Sequence, residues 1–153
     1  MEKKTDWTQY YNSPYKTASI TRKITGQILI KTIKKYIGNT KNLSLIELGG
    51  ANSAFLELLI NAFRPKEYII VDNNQAGLDK TKSRITKDNN VSVLNIDILK
   101  KDILKRGIQK QVDLVLSTGL IEHFDKTGTQ KVIKAHFELL KPKGIAVMTF
   151  PTP

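Results

Sequence analysis

Apolar and polar positions follow one another in blocks along most of the chain. Five apolar runs have the length of buried strands: "LSLIELG" (43–49), "EYIIVDNN" (67–74), "VSVLNID" (91–97), "VDLVLSTG" (112–119) and "IAVMTF" (145–150). Between them lie segments typical of helices or turns. Strands that alternate with helices predict parallel pairing with crossover connections, and continuous apolar strands predict a sheet that is covered on both faces. The fold class is therefore α/β, with a doubly wound, mostly parallel sheet.

The helical segments are marked by apolar residues three and four positions apart. The first runs from Pro14, a favourable first-turn residue, to about Ile37, and Gly38-Asn39 follows as a C-terminal cap. Other helices are predicted at 53–63, 75–87 and 129–141, with a short helix or turn at 98–106 and a turn at 142–144. We find no repeat, low-complexity tract or linker. A single domain over 1–153 is predicted, with an N-terminal cap (1–40) and a core (41–153).

Unusual polar residues gather where four of the predicted strands end. The first strand ends with Glu47 and the small Gly49, the second with Asp72 and Asn73, the third with Asp97 and the fourth with Ser117. The carboxyl ends of parallel strands meet at one edge of a sheet, where ligands bind. One such residue would be explained equally well by helix capping. Four strand ends together favour a ligand cleft.

The loop after the first strand, "ELGGANS" (47–53), resembles a dinucleotide-binding turn, because small residues let the backbone approach a ligand closely. It lacks the G-x-G-x-x-G pattern, however, and Glu47 would repel a pyrophosphate, so an NAD-dependent oxidoreductase is the weakest interpretation. Asp72 is placed to accept hydrogen bonds from ribose hydroxyls. The two acids together indicate a nucleoside that carries a positively charged group.

At this point the sequence resembles the class I S-adenosylmethionine-dependent methyltransferases, in their small-molecule branch. The first motif of that family is an acid followed by alternating glycines, and Glu47 and Gly49 match it. Ala51 and Ser53 stand where the next two glycines would be, and both are small. "DLVLSTGLIEHF" (113–124) and "LLKPKGIAVMTFP" (139–151) resemble the fourth-strand motif and the helix-turn-strand that follows it. The resemblance covers about 43–151, with five motifs in order.

The resemblance implies a Rossmann-like fold with S-adenosyl-L-methionine as the cofactor. The cofactor-binding residues it implies are Glu47, Gly49, Gly50, Ala51, Asp72, Asn73, Asp97, Ile98 and Ser117. Asp72 would hold the ribose hydroxyls, Asp97 would accept from the adenine amino group, and the amide of Ile98 would reach a ring nitrogen. Glu47 would orient the methionine amino group or a bound water.

Aromatic residues near the N-terminus have two interpretations. Trp7, Tyr10 or Tyr11 would cover the site, since aromatic faces favour a sulfonium, or would simply pack a loose N-terminus onto the core. Arg22 would pair with the methionine carboxylate or lie on a helix surface.

His123, with Glu122 beside it, is the candidate catalytic base. A neutral imidazole would take a proton from a hydroxyl or an amine, although alignment alone supplies much of the catalysis in a direct displacement. His136 is predicted to be a packed or surface residue of its helix. Two distant histidines and no cysteine give no metal site.

The formal charge of +11 would suit nucleic acid, anionic lipid or an acidic substrate. However, only four of the 25 basic residues are arginines, and the many lysines, isoleucines and asparagines are equally typical of an AT-rich genome. No apolar run is long enough to span a bilayer, and no secretory signal is recognisable in the first 16 residues. A cytoplasmic protein is expected.

The sequence stops directly after the fifth predicted strand, at "MTFPTP". Members of the resembled family usually continue with a helix and an antiparallel hairpin that helps to build the substrate pocket. We therefore expect a truncated domain without that hairpin. The exposed edge of the fifth strand would allow a homodimer.

Methyl transfer to a small molecule or biosynthetic intermediate is the leading interpretation. A nucleic-acid (RNA) methyltransferase would suit the charge, but Ser117-Thr118-Gly119-Leu120 stands where base-amino methyltransferases have an Asn/Asp-Pro-Pro-aromatic motif. A non-catalytic cofactor-binding or assembly module is the third possibility, which the altered glycine pattern would suit.

Overall fold

The computed structural model describes residues 6–12, 19–100, 108 and 111–151. Its helices are α1 (Trp7–Asn12), α2 (Ser19–Ile37), α3 (Leu56–Phe63), α4 (Gln75–Arg84) and α5 (Lys126–Glu138). Its strands are β1 (Ser44–Leu48), β2 (Glu67–Asp72), β3 (Val91–Asn95), β4 (Val112–Thr118) and β5 (Leu140–Thr149), and a short 3-10 turn lies at Ile121–His123. The order of elements confirms the predicted α/β alternation.

The five strands form one parallel sheet in the order β3-β2-β1-β4-β5. β1 lies at the centre and is buried along its whole length, which explains why its sequence is apolar without alternation. From β1 the chain adds β2 and β3 on one side, and it then crosses back to add β4 and β5 on the other side of β1. All five strands are parallel. The predicted doubly wound, parallel sheet is confirmed.

Helices cover both faces of the sheet. On one face, Leu29 and Ile33 of α2 pack with Leu56 and Leu59 of α3 against the buried side chains of β1 and β2. On the other face, Ala135 of α5 packs against the alternate residues of the same strands. Successive residues of a strand point to opposite faces, so each buried strand supplies both halves of the core.

Two helices begin at residues that the apolar pattern misplaced. α3 begins at Leu56 instead of residue 53, because the hydroxyl of Ser53 donates to the buried Glu47 of β1 and holds Ser53 in the loop before the helix. α5 begins at Lys126 instead of residue 129, because the Asp125 side chain accepts a hydrogen bond of 2.7 Å from the amide of Gly128 and caps the helix.

The sequence also predicted where α2 begins and ends, and a short helix or turn after β3. α2 ends at Ile37 and Gly38 follows at φ +68°, which confirms the predicted cap. The predicted start at Pro14, and most of the predicted helix or turn at 98–106, lie outside the described residues. α1 was not predicted as a separate helix.

The fifth strand is longer than its apolar run. Val112 pairs with Leu140, whereas Leu114 pairs with Ile145, so the predicted turn at 142–144 lies within β5 as an irregularity of the ladder. Lys143 takes a left-handed φ of +69° there. Among the described strands β5 pairs with β4 alone. No described helix is both long and apolar enough to cross a membrane.

Candidate functional site

The carboxyl ends of the strands lie together at one edge of the sheet, as the sequence predicted. Asp72 at the end of β2 is in register with Asn95 at the end of β3, and Leu48 at the end of β1 is in register with Val71. The loop after β1 therefore lies beside the end of β2. We call this edge the carboxyl edge.

The loop after β1 is tied to β2 through its backbone. The amides of Gly49 and Gly50 donate to the carbonyl of Val71 at 2.8 and 3.2 Å, and the amide of Ala51 donates to a carboxylate oxygen of Asp72 at 3.1 Å. Gly49 has φ +72°, a conformation that favours glycine. The first loop and the acid after β2 thus form one hydrogen-bonded unit.

Glu47 lies beneath this loop and not on its surface. Its side chain is 1% exposed, and one carboxylate oxygen accepts hydrogen bonds from the Ser53 hydroxyl, at 2.7 Å, and from the Tyr68 hydroxyl. Burial raises the pKa of Glu47. A Cβ on Gly50 would come within 3.1 Å of the Glu47 side chain. The geometry makes Glu47 a brace for the loop, and the structure does not bring it to the cleft surface.

Asp72 occupies the position expected for a ligand-binding acid. It is half-buried, and its two carboxylate oxygens accept from the amides of Ala51, at 3.1 Å, and Asn74, at 2.8 Å. Burial raises the pKa of Asp72. A carboxylate has about four lone-pair positions, so Asp72 keeps capacity to accept from a ligand. Asn73 beside it is exposed.

Asp97 and Ile98 follow β3 on the same edge. Asp97 is half-buried, accepts a 3.0 Å hydrogen bond from the amide of Leu99 and lies 3.7 Å from the ammonium of Lys100. The Ile98 side chain packs against the core on the α5 face. Because β2 and β3 are neighbours, Asp97 and Asp72 lie at adjacent strand ends.

Ser117 turns into the protein, away from the cleft. It is 1% exposed, and its hydroxyl lies 3.0 Å from Nε2 of His136 on α5. Nδ1 of His136 lies 2.8 Å from the Val132 carbonyl, so this nitrogen carries the proton, Nε2 accepts, and the Ser117 hydroxyl donates. Burial lowers the pKa of His136. His136 is thus packed and not on the surface, the two positions predicted for it, and Ser117 anchors β4 to α5.

Two residues of α4 that the sequence analysis did not select also hold the first loop. The buried Thr81 hydroxyl accepts from the amide of Ser53 at 3.2 Å. The Arg84 guanidinium donates to the carbonyl of Ser53 at 2.8 Å and to the side chain of Asn52 at 3.2 Å, while pairing with Glu57 at 2.6 Å. Arginine is scarce in this chain, and that scarcity was the one feature of the sequence that could have singled out Arg84. No feature of the sequence singled out Thr81.

The N-terminal helix α1 lies across the carboxyl edge. At one side Thr8 accepts a 3.1 Å hydrogen bond from the Asn74 side chain, and the carbonyl of Tyr11 accepts from Lys80. At the other side the ring of Trp7 lies 4.6 Å from the ring of His123, measured between centroids. α4 follows β2 and His123 follows β4, so α1 spans the loop after β1. The aromatic residues of α1 thus pack onto the protein, and their role as a cover for a bound cofactor stays a prediction.

The candidate base His123 is partly exposed at the rim of the site. The exposed fraction of its side chain is 37%, and its Nε2 lies 3.9 Å from a carboxylate oxygen of Glu122. The preceding residue in the same turn region, Leu120, contacts Gly49, since a Cβ on that glycine would come within 2.6 Å of the leucine side chain. The loops after β4 and β1 are therefore in contact. Arg22 lies on the exposed side of α2.

An open groove of about 770 Å³ lies at the opposite edge of the sheet, lined in part by Lys66, Asn90 and Lys141. None of the predicted site residues lines it. In the described part of the chain no group of three or more histidine and acidic residues is placed to hold a metal ion.

The chain is similar to known proteins in both sequence and structure. A family profile described as a methyltransferase domain matches residues 46–146. No curated protein matches the chain.

Solved structures show the same fold at low sequence identity. N-methyltransferase NodS from Bradyrhizobium japonicum, in complex with S-adenosyl-L-homocysteine, matches with a TM-score of 0.69 and 16% identity over 93% of this chain and 70% of its own. DesVI from Streptomyces venezuelae matches with a TM-score of 0.69 and 12% identity over 88% of this chain and 53% of its own. A methyltransferase from Clostridium acetobutylicum, described as S-adenosylmethionine-dependent, gives 0.66 and 18%, over 85% and 50%.

This chain spans about half the length of the last two proteins. The structural likeness establishes the fold, and the profile match extends over more than half of the residues. The chain therefore belongs to the methyltransferase domain family, in the class I group whose cofactor is S-adenosyl-L-methionine.

Proposed function

We propose that this chain binds S-adenosyl-L-methionine at the carboxyl edge and transfers its methyl group to a small-molecule acceptor. The observation that carries the proposal is the placement of two half-buried acids, Asp72 and Asp97, at adjacent strand ends beside a loop that is hydrogen-bonded to one of them. A nucleoside offers ribose hydroxyls and, on adenine, an amino group as hydrogen-bond donors for two such acids.

The residues present fit this cofactor. Asp72 would accept from the ribose hydroxyls and Asp97 from the adenine amino group, while the backbone amide of Ile98 would reach a ring nitrogen of the base. Gly49 and Ala51 would let the loop backbone lie close to the methionine part. Glu47 and Ser117 are proposed to act from beneath, Glu47 by bracing the loop and Ser117 by fixing the end of β4.

The cofactor supplies an electrophilic methyl group on a sulfonium when it is bound. The protein then has to align an acceptor atom, exclude water and receive a proton where the acceptor loses one. α1 would exclude water from above the loop. His123, at the rim, is the proposed proton acceptor, and Trp7 against its ring would restrict the orientation of the imidazole.

Calorimetric titration with S-adenosylmethionine and S-adenosylhomocysteine tests this proposal, with NAD as a ligand control. We expect micromolar binding of the first two and none of NAD. Asp72→Asn should weaken binding at least tenfold, because the amide removes the charge and places a donor against backbone donors. Asp88→Asn, at an exposed loop position, is the matched control and should bind like the wild type. Absence of binding to a folded wild type would refute the proposal.

Three further expectations go with the proposal. Residues 1–153 would act as one unit, with 1–40 as the cap, so a chain lacking residues 1–12 should bind the cofactor more weakly. A homodimer through the edge of β5 would appear in sedimentation as a concentration-dependent mass. RNA methylation would be favoured by salt-dependent RNA binding, and an assembly module by cofactor binding without turnover towards any acceptor.

A further inference from the structure

We propose that the methyl acceptor is an amine, bound as a cation between the Trp7 ring and the Glu122 carboxylate. This inference rests on the proposed function, and it names the chemical class of the acceptor. It is carried by an aromatic cluster and an acid that lie together at the rim of the cofactor site.

The aromatic cluster, which we call the aromatic rim, consists of Trp7, Tyr10, Tyr11 and His123. The Trp7 ring lies 5.6 Å from Tyr10, edge to face, 6.0 Å from Tyr11, nearly parallel, and 4.6 Å from His123. Trp7 is half-buried and Tyr10 is 49% exposed. The rim therefore presents aromatic surface to solvent as well as packing α1 onto the protein.

Glu122 places a carboxylate next to this surface. One of its oxygens lies 3.9 Å from His123 Nε2 and would be 3.4 Å from a Cβ on Gly119, the residue after β4. The exposed fraction of the Glu122 side chain is 27%. Faces of aromatic rings attract cations, tryptophan most strongly, and an adjacent carboxylate adds a charged acceptor. An anionic acceptor would instead meet the negative charge of Glu122.

The aromatic rim is adjacent to the proposed cofactor loop. Leu120 contacts Gly49 of that loop and is two residues from Glu122, so an acceptor held by Glu122 would lie beside the methionine end of the cofactor. Before methyl transfer an ammonium group has to release one proton to expose its lone pair. The imidazole of His123, whose Nε2 lies 3.9 Å from the Glu122 carboxylate, would take that proton from the nitrogen, so the same rim would provide both binding and deprotonation.

The test uses two probes of the same shape, choline and its uncharged carbon analogue 3,3-dimethylbutan-1-ol, added to the chain saturated with S-adenosylhomocysteine. Trp7 is the only tryptophan, so its fluorescence reports directly on the rim, and calorimetry checks binding independently of emission. We expect choline to bind at least about fivefold more tightly than the alcohol, the scale of a partly exposed cation–π contact with a neighbouring acid.

Glu122→Gln keeps the shape of the side chain and removes its charge. It should reduce the preference for choline to about twofold or less while leaving the affinity for S-adenosylhomocysteine unchanged. Glu138→Gln is the matched control, since Glu138 is an exposed residue of α5 paired with Lys134 at 3.4 Å, and it should keep the wild-type preference.

Equal binding of the two probes, or binding of neither, to a chain that still binds S-adenosylhomocysteine would overturn the amine assignment and leave the proposed function intact. Tighter binding of the uncharged alcohol would also overturn it and would indicate a neutral hydroxyl acceptor. Failure to bind S-adenosylhomocysteine would instead count against the proposed function, and the choline preference, measured without it, would still decide the rim's charge selectivity.

Discussion

The buried Glu47 offers the sharpest test of how the first loop is held. Its carboxylate accepts from the hydroxyls of Ser53 and Tyr68, and all three side chains are 2% exposed or less. Glu47→Leu removes the acceptor at nearly constant volume and leaves two buried hydroxyl donors without it. Each unsatisfied buried group costs roughly 1–3 kcal/mol. The free energy of unfolding should therefore fall by about 2–6 kcal/mol.

Glu47→Gln is the matched variant, because it keeps one acceptor oxygen and removes the charge. We expect its free energy of unfolding at pH 7 to lie within about 1 kcal/mol of the wild-type value, since the amide oxygen still accepts from the two hydroxyls and the glutamine side chain never has to carry a charge in the core. The assay is urea unfolding followed by circular dichroism. A domain of this size shifts its melting temperature by roughly 2–4 °C per kcal/mol, so the two variants should be easy to separate.

The pH dependence of the free energy of unfolding tests the burial of Glu47 independently. Burial raises the pKa of Glu47 above its ordinary value, so the stability contributed by this group is fully present below the pKa of the unfolded chain. It is lost as the pH rises through the folded-state pKa. The wild type should therefore lose stability relative to Glu47→Gln as the pH rises above about 4.5. Two results would refute the role of Glu47 as a buried brace for the loop. One is equal destabilisation by Glu47→Leu and Glu47→Gln, and the other is a wild type that gains stability relative to Glu47→Gln as the pH rises.

Three further predictions concern the loop and its supports. Gly49→Ala should destabilise the protein by about 1 kcal/mol more than Gly38→Ala and should also weaken S-adenosylhomocysteine binding. Both glycines have positive φ, which costs roughly 1–2 kcal/mol for alanine, but of the two only Gly49 has a neighbouring side chain 2.6 Å from the position of an added Cβ. Equal losses of stability in thermal melts would contradict this prediction. Arg84→Met should lower the free energy of unfolding by about 1 kcal/mol and raise the calorimetric dissociation constant of S-adenosylhomocysteine several-fold, because the loop loses its guanidinium contacts; an unchanged constant would show that they are dispensable. Burial lowers the pKa of His136, so the stability that this residue contributes is present above the unfolded-state pKa and is lost as the pH falls through the folded-state pKa. A His136→Gln variant should lack this loss of stability at acid pH in urea titrations between pH 4.5 and 7. If the stabilities of the two proteins fell in parallel with pH, the predicted role of His136 would be wrong.

Capping and register account for the places where the predicted boundaries moved. Asp125 caps α5 four residues before residue 129, where the apolar pattern predicted the helix to begin, since a cap depends on one side chain and not on periodicity. β5 begins at Leu140 because its pairing with Val112 continues past an irregularity. Such pairing is decided by the neighbouring strand, and the apolar pattern of a single segment carries no information about its neighbour.

The candidate site was predicted in its position but only partly in its contacts. Asp72 and Asp97 were predicted to lie at strand ends on one edge of the sheet, and the structure adds that their strands are neighbours. Glu47 and Ser117 occur at strand ends too, yet both side chains turn into the core, where Tyr68 and His136 supply their partners. Those partners are 21 and 19 residues away along the chain, and nothing in the local sequence joins them.

The sequence by itself determined the order of strands and helices, the parallel sheet and the edge at which the polar residues meet, because apolar runs and their periodicity are local properties that burial converts directly into structure. Only the tertiary structure decided which strand-end side chains face the cleft, how the first loop is braced and that α1 lies across the edge. Those outcomes depend on which buried polar groups find a partner, and that condition is satisfied by the whole fold at once and not by any one segment.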